Sequence, residues 1–65
     1  MFKNLLAEMA RRDINNLYLS RLLNLTPNTI SRKMTGKSEF TRKEMFTIRD
    51  NFFPELTIEY LFQEF

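Results

Sequence analysis

Apolar residues recur along this chain at helical spacing, and one start signal precedes four of the helical stretches. It is an apolar residue, then Asn or Thr, then another apolar residue four places further on. The sets are Ile14/Asn15/Leu19, Leu25/Thr26/Ile30, Phe40/Thr41/Met45 and Leu56/Thr57/Leu61. Each fits an N-cap side chain that accepts from first-turn N–H groups, bracketed by a hydrophobic staple. Thr41-Arg42-Lys43-Glu44 reads as a full capping box, and Pro27 falls at a first helical position, where its missing N–H costs nothing. With the stripe Phe2, Leu5, Leu6 and Met9, the pattern predicts five helices, over about residues 2–12, 16–23, 27–34, 42–53 and 58–64. Asn24 and Gly36 follow the second and third, and both residue types tolerate the left-handed conformation that closes a helix. Period-2 alternation is absent, so the fold class is all-α, a five-helix bundle in one small domain spanning residues 1–65.

Composition narrows the chemistry. The 65 residues include no Cys and no His, which removes thiolate metal sites and disulfides and the commonest metal ligand and general base. The eight carboxylates show no spacing that singles out a catalytic pair, and no Gly-rich phosphate loop is present. The expectation is a non-enzyme without cofactor, metal or small-molecule substrate. No apolar run is long enough to span a bilayer, and no signal-peptide h-region opens the chain, so the expected location is cytoplasmic. Net charge is only +2, yet residues 1–43 carry +6 and residues 44–65 carry −4. Such segregation suits a polyanion partner, although a mixed solvated surface gives the same sum.

Wound at 100° per residue, the third predicted helix puts Ile30 and Met34 on one side and Asn28 and Arg32 on the other, with Thr29 and Thr35 flanking them. The outward set has the groups that read base edges. Arg pairs with guanine O6 and N7, Asn with adenine N6 and N7, and Thr bonds a base or touches a thymine methyl. Pro27 offers an apolar contact at the helix start. Thr26 and the free N–H groups of the first turn can hold a phosphate. Lys33, Lys37, Arg42 and Lys43 follow as a basic rim, and Asn15, Asn16 and Tyr18 open the preceding helix. An ordinary surface helix would also expose Asn and Arg. The basic surroundings favour the division between positioning and specifying contacts that DNA-binding surfaces show.

Leu19, Ser20 in the small-residue position, Leu25, Thr26, Ile30 and Gly36-Lys37, followed by Leu56-Thr57-Ile58-Glu59-Tyr60-Leu61-Phe62, resemble the helix-turn-helix domain of lambda-type Cro and repressor proteins, the XRE family. The resemblance covers nearly the whole chain. It implies a five-helix bundle whose third helix enters the major groove, and a homodimer on a pseudo-palindromic operator, as in small phage repressors. Carried over by position, it implies base contacts from Pro27, Asn28, Thr29 and Arg32, and phosphate contacts near Asn16, Thr26, Thr35, Lys37 and Arg42. The chain departs from the family pattern in Asn24 for the usual turn Gly and Asn16 for the frequent Gln. Met9 and Met34 stand where many members bury an Arg–Glu pair. Two apolar side chains can replace such a pair without loss, so Met9 is expected on or near Met34.

Six of the nine aromatic residues lie in the last third: Phe46, Phe52, Phe53, Tyr60, Phe62 and Phe65. Met45, Ile48, Phe52, Ile58 and Leu61 have the spacing of a core. The surplus, Phe53, Leu56, Phe62 and Phe65, is the expected contact between two subunits. The expected function is sequence-specific binding of double-stranded DNA by a transcriptional regulator, a Cro-like repressor from a phage or mobile element. The competing expectation is a protein-interaction module, an antitoxin or anti-repressor that works through the aromatic end.

Overall fold

All four anticipated caps close their helices. The Asn15 side chain accepts from the Leu17 and Tyr18 N–H groups, Thr26 from Thr29, Thr41 from Glu44 and Thr57 from Tyr60. The Glu44 carboxylate accepts from the Thr41 N–H at 2.9 Å, which completes the capping box. The computed structural model describes residues 1–65 and contains five helices and no strand. They are α1 (Lys3–Arg11), α2 (Asn16–Leu23), α3 (Pro27–Met34), α4 (Arg42–Phe52) and α5 (Ile58–Leu61).

The helix ends share a device that the sequence showed only in part. Asp13, Asn24 and Gly36 all have positive φ, at 57°, 57° and 88°. Behind each, the next N–H reaches back to a carbonyl of the last turn: Ile14 to Met9 at 2.8 Å, Leu25 to Ser20 at 2.9 Å and Lys37 to Arg32 at 2.9 Å. These bonds satisfy carbonyls that would otherwise be orphaned at the helix C-terminus. Ile14 and Leu25 therefore act twice, since each closes one helix and provides the first half of the staple for the next. This double use permits connections of a few residues between α1, α2 and α3. Asp13 carried no Gly or Asn signal and was not anticipated in this role.

α2 packs against α3 and α4, and α5 packs against α1 and α4. Ten residues form the core: Phe2, Leu5, Met9, Leu19, Ile30, Met34, Phe40, Ile48, Phe53 and Leu61. Both Met9 and Met34 lie in it. Three expectations require correction. Leu6 is exposed, and Glu8 takes the inward position beside Leu5 and Met9. α5 ends at Leu61 rather than near Glu64, because Phe62 leaves the helix to pack on Phe2 and Phe40, ring centroids 5.7 and 5.5 Å away. α4 ends at Phe52, and Phe53 adopts φ −137°, ψ 53°. That break in helical winding turns the Phe53 ring inward, and it is fully buried.

Candidate nucleic-acid interface

α3 is seated by three inward residues, Ile30, Lys33 and Met34. Its opposite side leaves Asn28 and Arg32 exposed, one turn apart, with Pro27 also exposed and Thr29 half-buried. The Thr26 and Thr29 hydroxyls lie 2.9 Å apart, and Thr26 Oγ1 also accepts from the Thr29 N–H at 3.2 Å. Of the two hydroxyl protons, one is spent within the pair and one is left to donate to a ligand. The Thr35 hydroxyl donates to the carbonyls of Ser31 and Arg32. A phosphate accepts hydrogen bonds and does not donate them, so a contact from Thr35 requires that hydroxyl to turn. Asn16 is half-buried at the start of α2, beside the exposed cap Asn15.

The basic residues divide into two groups. Four are held in ion pairs: Arg11 with Glu8, Arg12 with Glu55, Lys33 with Glu44, and Arg49 with Asp50. The other six, Lys3, Arg21, Arg32, Lys37, Arg42 and Lys43, are all exposed and join no ion pair. Five of those six fall between residues 21 and 43. No carboxylate occurs from Ile14 through Ser38, so α2 and α3 carry no anion to repel a phosphate.

Lys33 does not belong to this rim. It is only 9% exposed, and its Nζ donates to Glu44 Oε1 and to the Glu39 carbonyl, each at 2.9 Å. Its charge is neutralised inside the bundle, where it ties α3 to the first turn of α4 instead of facing a phosphate. The signal was present in the spacing: Ile30, Lys33 and Met34 stand at i, i+3 and i+4, which places the lysine on the packed side. Burial pushes the Glu44 carboxyl up. The Thr41 N–H and the Lys33 ammonium outweigh that effect and hold it below the ordinary glutamate value.

A second buried charge lies away from this surface. Glu8 Oε2 accepts from the Tyr60 hydroxyl at 2.7 Å and from Arg11 at 2.6 Å, which joins α1 to α5. The hydrogen bond to that carboxylate raises the Tyr60 pKa. Glu8 repeats the pattern of Lys33, with Leu5, Glu8 and Met9 at i, i+3 and i+4.

The expected subunit contact is mostly interior. Phe53 is 0% exposed and lies under the Arg12 guanidinium, 4.8 Å from its centroid. Leu56 and Phe62 are partly buried against the core. Only Phe65 is open, at 61%, with Lys3 Nζ 5.7 Å from its ring centroid. Burial rules out Phe53 as an interface residue, and packing commits Leu56 and Phe62 to the fold.

The fold is that of a small all-helical five-helix globule, and no helix is long and apolar enough to cross a membrane. Comparison with protein-family models, curated protein sequences and solved structures finds no match.

Proposed function

We propose that this protein binds double-stranded DNA sequence-specifically through α3, in the manner of a helix-turn-helix repressor. One observation carries the reading. α3 is fixed in the bundle by Ile30, Lys33 and Met34 while Asn28 and Arg32 stay exposed, within a stretch that has no carboxylate. Seating by buried side chains lowers the entropy lost when an exposed side chain is placed against a base. α2, the turn at Asn24 and α3 form the two-helix unit, with α3 as the element that enters the major groove. Arg32 pairs with guanine and Asn28 with adenine. Pro27 and Thr29 flank them, and Asn16, Thr26, Lys37, Arg42 and Lys43 hold the phosphates. As a Cro-like regulator, the protein would occupy an operator as a homodimer and exclude competing proteins from it.

Two substitutions separate reading from positioning. Arg32→Ala costs about 1–3 kcal/mol on a preferred duplex and flattens the preference at one base position. Lys37→Ala weakens all duplexes alike and lowers the slope of log K against log salt by about one. Titration of fluorescent duplexes at several salt concentrations measures both. Equal losses for Arg32→Ala on preferred and random duplexes would remove Arg32 from the reading role.

A further inference from the structure

We infer that the cavity between the α3–α4 connection and the C-terminal segment is a binding site for a linear aliphatic diamine. The inference stands independently of DNA binding. The cavity has a volume of about 300 Å³ and an apolar lining of Phe2, Phe40, Met45 and Phe62. The three rings pack on one another, with centroids 5.5–5.7 Å apart, so this lining is formed before any ligand arrives. Glu39, from the α3–α4 connection, and Glu64, from the segment after α5, also line the cavity. Four of the eight carboxylates of the chain are held in ion pairs: Glu8, Glu44, Asp50 and Glu55. The other four, Asp13, Glu39, Glu59 and Glu64, are exposed and join none. Two of these four meet at one cavity although they are distant in sequence. The cations nearby do not serve them. Lys33 Nζ lies 5.8 Å from the Phe40 ring centroid, but it is held by the Glu44 carboxylate and the Glu39 backbone carbonyl.

The lining chooses the class of ligand. Two carboxylates repel an anion. A hard metal cation takes six to eight oxygen ligands, whereas here no third acidic side chain joins the two and half of the lining is apolar. A diamine matches both parts of the site. Each carboxylate accepts from one ammonium group in a charge-assisted hydrogen bond, and the polymethylene chain between them covers the rings and the Met45 side chain. The flexible chain adjusts its reach to the separation of the two carboxylates. Ser38 lines the same cavity, and its hydroxyl supplies a further acceptor for an ammonium group. The volume stands at the lower end of the range that takes small ligands, which suits a molecule of about six to eight non-hydrogen atoms.

Titration of the ¹⁵N-labelled, DNA-free chain with 1,4-diaminobutane at constant ionic strength, up to about 20 mM, tests the inference through the amide chemical shifts. The expected result is a saturable change confined to residues 36–40 and 62–64. n-Butylamine, with one ammonium group, binds about threefold or more weakly, and 1,4-butanediol does not bind. Glu39→Gln and Glu64→Gln each weaken diamine binding about threefold or more. Both leave the melting temperature of the free chain unchanged, because these side chains are exposed and unpaired. Ser38→Leu fills the cavity and abolishes binding with both carboxylates in place, which diffuse attraction to an acidic surface would not do. Glu59→Gln, at a free carboxylate outside the cavity, leaves binding unchanged. Shifts that never saturate, or that extend equally to Asp13 and Asp50, overturn the inference. So does wild-type affinity in either glutamine variant or in Ser38→Leu. Equal binding of n-butylamine would reduce the ligand to a monoamine and overturn the diamine assignment.

Discussion

Replacing Phe53 by alanine lowers the stability of the folded chain by about 3–5 kcal/mol, the cost of emptying a buried aromatic site. Phe53 is among the largest fully buried side chains of the molecule, and its ring meets Phe52 at 6.3 Å between centroids and the Arg12 guanidinium above it. A domain of 65 residues has a total stability of only about 3–10 kcal/mol, so the substitution removes a large part of it. The melting temperature falls by tens of degrees, since each kcal/mol is worth about 4–8 °C in a domain of this size. Thermal unfolding of the dilute chain, followed by far-ultraviolet circular dichroism, gives the value. An interface residue would behave otherwise, with an unchanged dilute monomer and weaker pairing. A loss below about 1 kcal/mol is what a surface position gives, and that result would contradict the burial of Phe53.

Glu44→Ala is expected to cost about 3 kcal/mol, through two effects in one side chain. It removes half of the capping box on α4, and it leaves the Lys33 ammonium buried without its partner. The Lys33 and Glu44 side chains are 11% and 20% exposed, and removing one partner of such a pair is costly because the remaining charge is uncompensated. Replacing both members avoids that cost. Lys33→Met with Glu44→Gln keeps an acceptor for the Thr41 N–H and buries an apolar stem in place of the ammonium. The double variant is expected within about 1 kcal/mol of wild type.

The same carboxylate sets part of the acid limit. Its pKa is depressed in the folded state, so folding favours the ionised form. That contribution is complete above the ordinary glutamate range and is lost as pH falls through the lower folded value. Glu55, lowered by its hydrogen bond from Arg12, acts in the same direction. Urea unfolding from pH 7 to 3 should show a shallower acid decline for the double variant than for wild type. Parallel curves would mean that the Lys33–Glu44 pair does not contribute.

Local chemistry was legible in the sequence where it is self-contained. An N-cap, a staple and a capping box are each complete within six residues, and α2, α3 and the start of α4 follow from them. The positive φ of Asn24 and Gly36 was legible for the same reason. Decisions taken by distant parts of the chain were not legible. Phe62 leaves α5 because Phe2 and Phe40, far away in sequence, provide an aromatic surface for it. Phe53 turns inward because α4 ends one residue earlier than its apolar pattern suggests. Lys33 was assigned to the basic rim by charge and Leu6, not Glu8, to the inward stripe of α1, whereas the i+3 position of Glu8 and Lys33 between two core residues placed both inside. Spacing outranked residue type in both helices, and the partners that make this tolerable, Tyr60 with Arg11 and Glu44, come from elsewhere in the chain. In the candidate site, the exposure of Asn28 and Arg32 followed from winding α3 around Ile30 and Met34. The loss of Lys33 from the basic rim was signalled by the same winding, but its partner Glu44, which makes the burial tolerable, came only with the three-dimensional arrangement.

The outer side of α3 is proposed to read base sequence. Selection of bound duplexes from a random pool, carried out in parallel with the wild-type chain and with an Asn28→Ala/Arg32→Ala variant, tests it most directly. Wild type is expected to enrich a two-fold-symmetric motif with guanine and adenine in each half, and the variant to retain DNA through its cations while enriching no motif. An unenriched wild-type pool, or the same motif recovered with both proteins, would contradict it.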